Sequence, residues 1–104
     1  MTTEQQPIAC TLTASDLRER LSWIATVNRD ALLGHDRTDL TLRLRYAPAA
    51  VQKVMRLMRD EQACCAFLTF EMHEEPEAVT LTITAPEEAR NTVDALFDPF
   101  MRAP

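Results

Sequence analysis

Four stretches of this chain alternate apolar and polar residues, and that alternation constrains the fold more than any other feature. The clearest is residues 40–46, where Leu40, Leu42, Leu44 and Tyr46 alternate with Thr41, Arg43 and Arg45. A strand with one apolar and one basic face covers a core on one side only. The same period of two recurs in residues 7–13 (Ile8, Cys10 and Leu12 on one face), 67–73 (Leu68, Phe70 and Met72) and 79–85 (Val79, Leu81, Ile83 and Ala85). Helices on both sides of a sheet demand continuously apolar strands, so these half-polar ones predict helices on a single face. The polar face is expected to carry Thr41, Arg43, Arg45, Thr69, Glu71, His73, Thr80, Thr82 and Thr84.

Between the strands the period lengthens. Leu17, Leu21, Ile24, Val27 and Ala31 recur at helical spacing, with Thr13 as N-cap and Gly34 as the residue past the helix end. This predicts a helix over 14–33 followed by a loop at 35–37. Pro48 fits the first turn of a second helix, with Val51, Val54, Met55, Met58 and Cys65 as its apolar stripe. Residues 74–77 read as a hairpin turn. Pro86 opens a third helix with Val93, Leu96, Phe97 and Phe100 inward, which Pro99 is expected to end or kink. The expected fold is α+β, a two-layer α/β sandwich in the order β-α-β-α-β-β-α with about four strands. Residues 1–6 read as a flexible tail and 7–104 as a single domain.

Charge and hydropathy narrow the function classes. Eleven basic against 16 acidic residues give a net charge of -5, which disfavours nucleic acid or an anionic membrane as a partner. No apolar run has the ~20 residues of a membrane-spanning helix. The first residues lack a basic segment followed by an apolar one, so the expectation is a cytoplasmic protein with reduced thiols. Three cysteines, an odd number, argue against a structural disulfide framework.

Chemistry concentrates where the second helix gives way to a strand, in Glu61-Gln62-Ala63-Cys64-Cys65-Ala66-Phe67-Leu68-Thr69-Phe70. At about 100° per residue, Cys65 falls inside the apolar stripe and Cys64 at its edge. Glu61 precedes them by three and four residues, so its carboxylate is placed to lie above either thiol. Cys10 also faces the helical layer. Thiolates select soft ions, namely Hg(II), As(III), Cu(I) and Zn(II). Adjacent cysteines suit a low-coordinate ion better than tetrahedral structural zinc, which favours Cys-x₂₋₄-Cys. The pair sits at the negative end of a helix dipole beside a carboxylate, an environment that raises a thiol pKa and weighs against a nucleophile. The candidate ligands are Cys64, Cys65 and Cys10, with Glu61 as outer-sphere group or proton acceptor. The plain alternative is packing, since cysteine is among the most buried residue types. His35 and His73 read as solvated, as do Arg18 and Arg20. Arg43 and Arg45 are candidates to pair with Glu71 across strands.

The run Glu61-x-x-Cys64-Cys65-x-Phe67-Leu68-x-Phe70, with Ala9-Cys10-Thr11-Leu12 before it and Ile83-Thr84-Ala85-Pro86-Glu87 after it, resembles a family of small bacterial proteins. That family's motif reads Glu-x-x-Cys-Cys-Pro-Phe-Leu-x-Phe; Ala66 stands here where proline is usual. The resemblance implies an association with heavy-metal resistance and, as partner, a metal-responsive regulator. Three functions follow as expectations. The first is soft metal or metalloid binding for buffering, delivery or sensing. The second is a small cysteine-dependent reductase or lyase. The third is a non-catalytic interaction module, a homodimer with packing cysteines.

Overall fold

The computed structural model describes residues 14–102, the side chains of residues 14–17 and 64 excepted. It is a mixed α+β fold of three helices and a four-stranded antiparallel sheet. Helix α1 (Ala14–Ala31) leads directly into β1 (Leu32–Thr38), which turns back as β2 (Thr41–Tyr46). A short 3₁₀ helix at Pro48–Ala50 starts α2 (Val51–Cys64). The hairpin β3 (Thr69–Glu74) and β4 (Val79–Thr84) follows. A second 3₁₀ helix, Glu87–Thr92, leads into α3 (Val93–Met101).

The sheet order is β1-β2-β4-β3. Strands β2 and β4 are central, so their inner faces are the driest. Leu42 pairs with Ile83, Leu44 with Leu81 and Tyr46 with Val79, and all six are buried. Phe70 and Met72 of β3 extend the first two rows. The opposite face carries Arg43, Arg45, Thr69, Glu71, His73 and Thr84 exposed, with Thr41, Thr80 and Thr82 half-buried between them. This is the one-sided layering that the alternation predicts.

The first expected strand, at 7–13, and the tail at 1–6 lie outside the described residues. From α1 onward the predicted elements follow in order, but β1 falls where a helix end and loop are predicted. Helix α1 stops at Ala31, and residues 32–38 are a strand. Gly34 takes no positive φ and caps nothing; it lies opposite Arg45 in the ladder. The segment Leu-Leu-Gly-His-Asp-Arg-Thr has no strand-like alternation because it is an edge strand, held by backbone pairing with β2 rather than by a buried face. A register shift between Leu32 and Gly34 turns Leu33 outward, where it is 54% exposed. The β1–β2 turn needs a left-handed residue, and Asp39 supplies it at φ 51°.

Pro99 does not end α3, which runs on to Met101. Its last turn is held from outside. Buried Asn28 of α1 donates through Nδ2 to the carbonyls of Phe100 (2.8 Å) and Arg102 (2.7 Å). These are carbonyls that a helix end leaves without an internal partner. The Tyr46 hydroxyl donates to Asn28 Oδ1 at 3.2 Å, which ties the sheet into the same junction. Burial pushes the Tyr46 hydroxyl pKa up, so it remains a donor.

Candidate functional site

Helix α2 buries Val54, Leu57, Glu61 and Cys65, a stripe at spacings of three and four. The predicted stripe was centred on Val51, Met55 and Met58, which are only half-buried. The true centre is rotated toward Leu57 and Glu61. A glutamate counts as a surface residue in any apolar pattern, and that displaced the predicted stripe.

The helix ends at Cys65. Its backbone N–H donates to Glu61 O at 2.7 Å, and its φ/ψ of -124°/69° takes the chain out of the helix. The Leu68 N–H then donates to Cys65 O at 3.0 Å. The chain turns here, and Ala66 is exposed at the turn. Cys65 faces inward, as the helical wheel predicts, and is 2% exposed.

Glu61 is 1% exposed and does not stand free above the thiols. Arg20 of α1 donates through Nε to its Oε2, and the Arg20 side chain is 13% exposed. The expectation that Arg20 is solvated is thereby corrected. A buried carboxylate demands a partner, and Arg20 lies four residues before Ile24 and seven before Val27, on the buried side of α1. That spacing was legible in the sequence. One turn further along α1, Trp23 receives the Arg56 guanidinium of α2 over its ring at 4.7 Å, a second tie between the two helices.

The ion pair is incompletely satisfied. Among the described residues, Arg20 Nη1 and Glu61 Oε1 are buried without a hydrogen-bond partner. Burial pushes the Glu61 carboxyl above its ordinary pKa and nearby Asp60 adds to the rise, while the hydrogen bond and charge of Arg20 pull it back only in part.

The expectation of free thiols is corrected at Cys65, which is disulfide-bonded. The chain has two other cysteines, Cys10 and Cys64. Cys10 and the Cys64 side chain lie outside the described residues. Of the four predicted site residues, the structure therefore places two, Glu61 and Cys65, one helical turn apart on one buried stripe. His35 and His73 are exposed, as predicted. Arg43 pairs not with Glu71 but with Asp36, its register partner on β1, at 3.6 Å. Among the described residues no three or more His, Cys, Asp and Glu side chains group to hold a metal ion. No described helix is long and apolar enough to cross a membrane. Comparison with protein-family models, curated proteins and solved structures finds no match.

Proposed function

We propose that the end of α2 is a dithiol site whose substrate is a soft metal or metalloid ion of the Hg(II), As(III), Cu(I) or Zn(II) class. One observation carries the reading. Cys65, 2% exposed at the end of α2, is disulfide-bonded, and such a bond takes two cysteine sulfurs. In the reduced protein the same two sulfurs clasp one ion, with bonds of about 2.3 Å if it resembles zinc. Cys65 is one ligand, and Cys10 and Cys64 are the candidates for the others. Glu61, held by Arg20, stands behind the ligands. Delivery or sensing would engage a metal-responsive regulator as partner; buffering needs none.

Titration of the reduced protein with Hg(II), As(III) and Cu(I), beside single Cys→Ser variants, tests the reading. It requires stoichiometric binding that Cys65→Ser abolishes or weakens severely. Unchanged tight binding without Cys65 contradicts it.

The same disulfide favours a second reading, a cysteine-dependent reductase that cycles between dithiol and disulfide. Such an enzyme needs one thiol with a depressed pKa. Alkylation rate against pH separates the two. A reactive thiol titrating well below the ordinary ~8.5 supports the reductase. A slow, high-titrating thiol supports the ligand site, because a helix C-terminus raises the thiol pKa.

A further inference from the structure

Among the described residues nothing covers the outer face of the sheet, and the ladder register sets its outward side chains in rows across β2, β4 and β3. One row reads Arg43, Thr82, Glu71 and the next Arg45, Thr80, His73. The remaining row, Thr41, Thr84, Thr69, carries no charge. Strand β4 therefore presents only threonines outward. The two arginines stand on one side of that spine, and the carboxylate and imidazole on the other. All four of these flanking side chains are exposed.

A face of one sign suits a partner of the opposite sign. This face is the complement of itself. A two-fold axis running along β4 lays β4 of a second copy on β4, and its β3 on β2. Each row then meets itself in reverse. Arg43 meets Glu71 of the second copy and Glu71 meets its Arg43, so two ion pairs form by symmetry. Arg45 meets His73 of the second copy, whose neutral ring has an acceptor nitrogen. Other two-fold placements oppose like charges. An axis between β2 and β4 sets Asp36 of β1 over Glu71, and one across the strands at the central row sets Arg43 on Arg43.

The side chains have the reach for it. Face-packed sheets lie about 10 Å apart, a gap that an arginine and a glutamate together cross, and the short threonines between leave them room. Competing pairs within the chain are weak. Glu71 has no ion-pair partner among the described residues, and Arg43 reaches only exposed Asp36, at 3.6 Å. We propose that this face is a homodimer interface, with the second copy docked along β4 through reciprocal Arg43–Glu71 pairs. It is independent of the chemistry at the α2 end. Three strands of six residues cover about 14 Å by 20 Å of sheet, which puts the contact at the small end of specific interfaces. The dimer is therefore a roughly micromolar one that salt loosens.

Sedimentation equilibrium of the full chain under reductant, which excludes disulfide-linked dimers, tests the interface. The wild type shows a monomer–dimer equilibrium that added salt shifts toward monomer. Arg43→Glu and Glu71→Arg each raise the dissociation constant at least about tenfold. An equimolar mixture of the two variants dimerises again, because one copy then carries two acidic groups and the other two basic ones. Both positions are exposed, so each variant keeps the fold, which circular dichroism checks. A wild type that stays monomeric up to about 1 mM overturns the proposal. So does a dimer that either reversal leaves intact, or a mixture that stays monomeric.

Discussion

Replacing Arg20 by methionine keeps the aliphatic packing and withdraws the one cation, among the described residues, that is bonded to buried Glu61. Breaking a buried pair from one side costs about 3–5 kcal/mol when the remaining charge cannot escape. Glu61 can escape by taking up a proton, and this sets a ceiling that depends on pH. Its ordinary value is 4.5. Protonating it at pH 7 therefore costs at most about 3.4 kcal/mol, or about 2.5 pH units at 1.36 kcal/mol each. At pH 5 the ceiling falls to about 0.7 kcal/mol. The sign is that of a carboxyl raised on folding. Its contribution to stability is fully present below about 4.5 and is lost as pH rises through the folded-state pKa. In the wild type Arg20 offsets part of that rise, and in the variant nothing does. Urea unfolding of both proteins between pH 5 and 8, under a fixed reductant, should show the stability gap widening several-fold with pH. The double variant Arg20→Met/Glu61→Met should recover most of the loss. A gap below about 1 kcal/mol at pH 7, or one independent of pH, would refute the claim that Arg20 compensates a buried carboxylate.

Other positions make simpler claims. Leu57 is fully buried at the centre of the α2 stripe, so Leu57→Ala should cost about 3 kcal/mol by urea unfolding, well above half-buried Met58→Ala. Asn28→Ala leaves the carbonyls of Phe100 and Arg102 and the Tyr46 hydroxyl without their partner. It should cost about 2–4 kcal/mol and raise hydrogen exchange at the end of α3 first. Tyr46→Phe removes one of those bonds and should cost about 1 kcal/mol by the same unfolding measurement. Thiol counting under denaturing conditions should find one alkylatable cysteine in the oxidised protein and three after reduction, since Cys65 is disulfide-bonded and the chain has three cysteines.

The layering was legible because it rests on period-two patterns that tertiary context reinforces. Leu42, Leu44 and Tyr46 on β2 and Val79, Leu81 and Ile83 on β4 are buried as the alternation predicts. Strand β1 was not legible. Its pairing uses backbone groups that every residue carries, so Gly34, His35, Asp36 and Arg37 look like a loop. At the site, the inward direction of Cys65 followed from helical spacing alone. The Arg20–Glu61 pair did not, because two charged residues 41 positions apart meet only once α1 and α2 are packed. Each occupies a core-facing place on its own helix, and that coincidence was the available signal. An odd cysteine count excludes only complete pairing, and three cysteines leave room for the one disulfide at Cys65.

The central claim is that the sulfurs brought together at Cys65 form one ion-binding site in the reduced protein. Ion stoichiometry measured on the same preparation before and after reduction tests it most directly. The account predicts one Hg(II) or As(III) bound tightly per reduced chain, little by the oxidised chain, and a matching loss in Cys65→Ser. Equal tight binding by the oxidised protein, or by Cys65→Ser, would contradict it.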